Sequence, residues 1–232
     1  MPDEKWGWDP GYRPDDPRYG LSPAELAEYY EKRPPQFTIR CTYGPDALAR
    51  REDAMAGHLS WIADHKDMIR FAGPLLTDDG ATPTGTFFIV DAPDRAAAEA
   101  FIAGEGFNRA GMFADVEIRR YACSKPWRQA DIEVEDGMQM FVCECIDGPD
   151  GLELRKTTGP AHHKYQGGIM DRFVMHGPTR TDDGKVLTGS TFVIQVADRA
   201  AAEDLVNNEP MTKGGVFKEV RIDRWRFGKS LD

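Results

Sequence analysis

Short runs of alternating or wholly apolar residues, punctuated by Gly, Pro and Asp, set the pattern of this chain. FTIRCTY (37–43) and MFVCECI (140–146) alternate and are rich in β-forming side chains, so they read as strands. About fifteen residues of helical character follow each, carrying His58 or His162. MIRFAG (68–73) and RFVMHG (172–177) read as short strands stopped by Gly-Pro. TDDG (77–80 and 181–184) reads as a turn, because Asp supplies local hydrogen bonds and Gly the positive φ. TFFIVDA (86–92) and TFVIQVA (191–197) are apolar enough for central strands. DRAAAEAFIA (94–103) opens on an N-capping Asp and runs into Ala, which predicts a helix. DVEIRRY (115–121) and EVRIDRW (219–225) alternate apolar with charged residues, as strands with one wet face do.

The same succession occurs twice. Shifting the chain by 104 residues lays 37–121 on 141–225 without a gap, with about a third of the 85 positions identical. GPLLTDDG (73–80) returns as GPTRTDDG (177–184), and DRAAAE (94–99) as DRAAAE (198–203). Each copy has the order βαββαβ, a ferredoxin-like split βαβ unit with helices on one face of its sheet. The bare face needs a cover, and the two copies supply it by packing sheet to sheet. A ligand cavity between the sheets is the expectation. This predicts an α+β fold with domains at 37–121 and 140–228, joined by a linker at 122–139 and preceded by an extension at 1–36. Within the extension, Ser22-Pro23-Ala24-Glu25 forms a capping box, so 23–32 reads as a short helix ended by Pro34 and Pro35. Trp6, Trp8, Tyr12 and Tyr19 suggest that the extension docks on the body.

Composition narrows the function. The 232 residues are 41% hydrophobic and 29% charged, which suits a globular protein. A net charge of −10 disfavours nucleic acid and anionic membrane surfaces as partners. No apolar run approaches the roughly 20 residues of a spanning helix, and MPDEKWGWDP does not read as a signal peptide. With four cysteines, the expected setting is a reducing, cytoplasmic one. Phosphate-loop, dinucleotide, zinc-protease and nucleophile-elbow motifs are absent. Cys143 and Cys145 have the wrong spacing for a zinc or redox site and read as core thiols on one strand face. Neither a cofactor nor a metal is expected.

Of five histidines, only the pair at 58 and 162 occupies one repeat position in both copies. The surrounding helix has diverged (AGHLSWIADHK against PAHHKYQGGIM) while the histidine has not. A His oriented by a carboxylate makes a general base near neutral pH. Asp79 and Asp183, retained in the turns, are the candidate carboxylates. Arg51 and Arg155 are candidates for holding an anionic substrate or a developing enolate. The plain structural readings stand beside these: TDDG as a turn alone, the arginines as solvated helix residues, the histidines as packing or capping residues.

These residues, taken in order, resemble the YCII-related family. The first copy matches through Arg51, His58, AGPLLTDDG (72–80), TGTFFIV (84–90), DRAAAEAF (94–101) and AGMFADVEIRRY (110–121). The second matches through Arg155, PAHHKY (160–165), HGPTRTDDG (176–184), TGSTFVIQV (188–196), DRAAAEDL (198–205) and GGVFKEVRIDRW (214–225). The resemblance implies a dimeric α+β barrel similar to muconolactone isomerase, formed here within one chain, so that a monomer or a homodimer is expected. It implies a His–Asp dyad, which by position is His58 with Asp79 and His162 with Asp183. One class of the family eliminates chloride from chlorinated hydroquinones. The second copy departs at Thr179-Arg180, where the motif prefers Leu-Leu, and at Met211, where an aromatic is common. The expected activity is lyase or isomerase chemistry on a small aromatic or enolisable molecule. A non-catalytic binding or sensing module is the alternative, and haem binding through a helix His, known in relatives of this barrel, is a third reading.

Overall fold

The computed structural model describes residues 14, 17–229 and 231. The first repeat runs β1 (Gln36–Tyr43), α2 (Ala47–Asp64), β2 (Ile69–Leu76), β3 (Pro83–Asp91), α3 (Arg95–Gly104), α4 (Gly106–Arg109) and β4 (Phe113–Tyr121). It is preceded by α1 (Pro23–Glu31). The second repeat runs β5 (Gln139–Asp147), α5 (Gly151–Gly168), β6 (Phe173–Arg180), β7 (Leu187–Val196), α6 (Arg199–Asn208), α7 (Pro210–Lys213) and β8 (Phe217–Trp225). The paired strands are antiparallel and close into one eight-stranded barrel in the order β1-β3-β2-β8-β5-β7-β6-β4. Two short ladders seam the repeats: Leu75 and Leu76 against Trp225 and Arg224, and Arg120 and Tyr121 against Arg180 and Thr179. No helix among the described residues is long and apolar enough to cross a membrane.

The period-2 pattern sorts side chains into three layers. Phe37, Ile39, Cys41 and Phe88 point outward and pack with Ile62, Phe101 and Ile102 under the helices of the first repeat. Phe141, Cys143, Cys145 and Phe192 do the same in the second repeat. The inward set, including Phe71, Leu75, Phe87, Ile89, Val142, Met175, Val193 and Trp225, fills the barrel. Each of these large side chains contributes about 1.5–3 kcal/mol by leaving water. The expected cavity between the sheets is therefore replaced by packed core, because eight strands enclose a space just wide enough for side chains. The open pockets lie on the helical side of each sheet. The predicted stop at Gly-Pro is also corrected. β2 and β6 each run through it for two further residues, to Leu76 and Arg180. Only Leu75 and Leu76 pair with β8, so Pro74 sits on an edge, where a missing N–H is tolerated.

Polar residues meet where the repeats face one another. Arg40 on β1 reaches across the lumen to Glu144 on β5 (Nη1–Oε2, 2.7 Å) and to Asp223 (Nη2–Oδ2, 2.8 Å). Glu117 on β4 pairs with Arg221 on β8. Positions 40 and 144, and likewise 117 and 221, are 104 apart, so each is the other's repeat equivalent across the pseudo-twofold axis. At the seams the two retained motifs meet each other. Asp182 of one turn holds Arg95 at the start of α3 (2.6 Å), and Asp78 of the other holds Arg199 at the start of α6 (2.7 Å).

The chain leaving each repeat's last strand crosses to the other repeat. Ser124 N–H donates to His176 O, and Gly228 N–H donates to Ala72 O, both at 2.8 Å. The crossing is so close that a Cβ on Gly73 would sit 1.9 Å from Arg226 O, and one on Gly177 2.1 Å from Ala122 O. The described part of the extension docks on the body, through residues other than the expected aromatics. Arg33 donates to Cys123 O and Lys125 O, and Tyr29 Oη donates to Ser124 O. Arg18 is buried and Tyr19 exposed, while Trp6, Trp8 and Tyr12 lie outside the described residues.

Candidate functional site

One face of α2 carries Arg51, Met55, His58 and Ile62 at helical spacing over the outer face of the sheet. These side chains line a cavity of about 520 Å³ together with Tyr43, Ala72, Thr86, Phe88 and Phe107. Arg226, Gly228 and Lys229, which follow the last strand of the other repeat, form its remaining wall. The second repeat repeats the plan in a cavity of about 250 Å³, with Arg155, His162, His163, Gln166, His176, Ser190, Phe192 and Met211. Arg18, Leu26 and Tyr30 of the extension close over it.

The histidines do find carboxylates, but not the expected ones. His58 Nδ1 lies 2.5 Å from Glu105 Oε1, and His162 Nδ1 lies 2.5 Å from Glu209 Oε1. Glu105 is fully buried. Its second oxygen accepts from the backbone N–H of Phe107 (2.9 Å) and Asn108 (3.0 Å) at the start of α4. Glu209 caps α7 likewise, through Met211 N–H (2.9 Å) and Thr212 N–H (3.2 Å). A carboxylate accepting two backbone donors at a helix N-terminus is held as an acceptor. It therefore takes the Nδ1 proton and leaves the Nε2 lone pair of His58 available. The His58 ring stacks on Phe107 at 4.0 Å and 3°, which fixes its plane.

Asp79 and Asp183 are turn builders and pair with neither histidine. Asp79 Oδ1 accepts from Thr77 Oγ1 (2.5 Å) and Ala81 N–H (2.9 Å), and Asp183 Oδ1 from Thr181 Oγ1 (2.5 Å) and Lys185 N–H (3.0 Å). These local donors hold both carboxyls below the usual range. Both side chains lie in exposed turns, and the His–carboxylate contact present in each repeat is His–Glu. A signal for it existed in the sequence: Glu105 and Glu209 are also 104 apart, and so retained by the duplication.

The two arginines occupy the pockets but differ in state. Arg155 is clamped by Asp147 through Nε–Oδ2 (2.7 Å) and Nη2–Oδ1 (2.8 Å), with Ser190 Oγ at 3.1 Å. In the first repeat Tyr43 stands where Asp147 would be. Arg51 lies over the Phe107 ring at 5.6 Å, and among the described residues it pairs with no carboxylate. Its Nε and the Tyr43 hydroxyl are both buried without a well-formed hydrogen bond. Burial pushes the Tyr43 hydroxyl up, against Thr86 and Arg51 beside it. Among the described residues no group of three or more His, Cys, Asp or Glu side chains is placed to hold a metal ion.

Residues 36–122 and 139–226 each match the model of the YCII-related domain. Among solved structures, a mutant chlorite dismutase from Candidatus Nitrospira defluvii is 10% identical, with 88% of this chain and 95% of that one covered at a TM-score of 0.59. A putative monooxygenase from Lactobacillus acidophilus NCFM is 10% identical, covering 84% of this chain and 94% of that one at 0.49. The 5-chloro-2-hydroxyhydroquinone dehydrochlorinase of Burkholderia phenoliruptrix AC1100, solved with 2,5-dihydroxybenzoquinone, is 30% identical, covering 36% of this chain and 89% of its own at 0.34. No curated protein matches the chain. The chlorite dismutase likeness establishes a shared barrel architecture, and a shared fold leaves the chemistry to the site.

Proposed function

Because the chain belongs to the YCII-related domain family, we propose that it is a proton-transfer enzyme of lyase or isomerase type, acting on a small aromatic or enolisable molecule in the first-repeat pocket. The observation that carries this is the His58–Glu105 pair: a fully buried carboxylate held by two backbone donors, orienting an imidazole that lines an open cavity. Glu105 keeps the proton on Nδ1, so Nε2 accepts one from a ring carbon or hydroxyl of the substrate. Negative charge then develops on the substrate oxygen, and Arg51 lies in the same pocket to stabilise it. Return of the proton from His58 to another atom gives isomerisation. Departure of a leaving group from the adjacent carbon, with its electron pair, gives elimination. Phe107, Phe88, Met55 and Ile62 supply flat, apolar walls suited to a ring.

The test is solvent deuterium exchange and turnover across a panel of cyclic enolisable ketones and hydroquinones, followed by NMR. Exchange or turnover in the native protein should fall by about a hundredfold or more in His58→Ala. Unchanged rates in that variant would sink the reading. Binding of panel members without exchange in the native protein would replace it with a non-catalytic binding module.

A further inference from the structure

We infer that the first-repeat pocket is built for a small ring bearing a carboxylate, and that the second-repeat pocket has given this capacity up to its own Asp147. The molecule carries its own model of the bound state. In the second repeat, a carboxylate lies on Arg155 with two parallel hydrogen bonds, and Ser190 Oγ bonds the same guanidinium. Position by position, the first repeat keeps the arginine as Arg51 and the hydroxyl as Thr86, but replaces the acid by Tyr43. What remains among the described residues is a guanidinium with no carboxylate, whose Nε makes no well-formed hydrogen bond, beside the Tyr43 phenol, whose oxygen lies against Arg51 and Thr86. The guanidinium lines the pocket with donors and no acceptor of its own, and a ligand carboxylate is the group that accepts from it.

The rest of the pocket agrees. Among the described residues no Asp or Glu lines it, although acidic residues outnumber basic ones 39 to 29 in the chain. Arg226 and Lys229 add two further cations at its wall. Charge of one sign in a cleft with low-dielectric walls attracts the opposite sign. Phe107, stacked on His58 and lying under Arg51, holds the two side chains in fixed relation, so that a ring whose carboxylate meets the arginine brings its reactive edge toward the imidazole. The second pocket, at about half the volume, presents an arginine already neutralised.

This deepens the proposed function and rests on it only for the placement of the reactive edge beside His58. Titration calorimetry with benzoate, and with benzamide as its uncharged isostere, tests it. Benzoate should bind once per chain and more tightly than benzamide. Arg51→Gln should weaken it by about tenfold or more, the loss of a charge-assisted pair. Tyr43→Asp, which recreates the sister arrangement, should weaken it as much. Should that variant fail to fold, Arg51→Gln alone decides. Equal affinity for benzamide, two benzoates per chain, no benzoate binding at millimolar concentration, or undiminished binding in a folded Arg51→Gln variant each overturns the inference. His58→Gln separates the two claims: it should abolish turnover while leaving benzoate affinity intact. Benzoate binding in a protein that turns nothing over leaves this inference standing and removes the enzymatic one.

Discussion

Glu105 has no exposed surface, yet three donors converge on it: the Nδ1–H of His58 and two backbone N–H groups at the start of α4. Replacing it by Gln keeps the shape but offers an amide where the imidazolium needs a charge. Glu105→Gln should therefore lower turnover by about a hundredfold or more while leaving ligand affinity nearly unchanged, as steady-state kinetics beside calorimetry would show. His176 reports on the second pocket through pH. Its position is Ala72 in the first repeat, and its Nε2 lies 2.9 Å from Ser124 Oγ, whose own proton goes to His176 O. That leaves Nε2–H as the donor and the ring neutral. Burial, then Arg18 and Lys125, hold its pKa well below the ordinary 6.5. The unfolded chain thus takes up this proton first on acidification. The group contributes full stability above about 6.5, and stability falls as pH drops below that value toward the depressed folded pKa. Urea midpoints from pH 7.5 down to 5 should fall, and the slope should flatten in His176→Gln.

At the scale of elements, the short helix α4 decides whether a dyad exists. Its first residue, Gly106, passes so close to α2 that a Cβ would lie 2.3 Å from His58 N and 2.5 Å from Gly57 C. Both contacts are backbone, so nothing yields cheaply. Gly106→Ala should cost about 1–3 kcal/mol and push Glu105 off His58. A lowered melting temperature together with lost turnover would be seen, whereas Pro210 at the equivalent place shows that α7 needs no such approach. This element also marks where the sequence could be followed and where it could not. The strands, the helix carrying His58 and the helix capped by Asp94 were legible because they are long enough to show a period. GFNR (106–109) is four residues and shows none. The partner of His58 lay 47 residues away, at the mouth of that unpredicted helix, while Asp79 stood in a conspicuous motif that serves its own turn. Alternation likewise told which residues share a face of the sheet. It could not tell which face would hold the cavity, since that depends on how completely Phe87, Trp225 and their neighbours fill the lumen.

On the scale of the whole molecule, the axis is charged and asymmetric. Arg40 is nearly buried between Glu144 and Asp223, and burial pushes the Glu144 carboxyl up despite the attraction of Arg40. Removing one partner of such a pair strands the other, so Arg40→Glu should destabilise by about 3 kcal/mol or more. Adding Glu144→Arg to it should restore part of the loss. Thermal melts of the two single variants and the double variant measure the coupling, and strict additivity would show that the lumenal pair holds nothing together. The same two charges have an evolutionary meaning. A homodimer presents every axial residue to its own copy, so an arginine there must face an arginine, and each mutation is inherited by both halves at once. Once two copies share one gene, each half inherits separately. Opposite charges can then meet at the axis, and one pocket can hold a tyrosine where its sister holds an aspartate. That is a division of labour that no symmetric pair of identical chains is able to inherit.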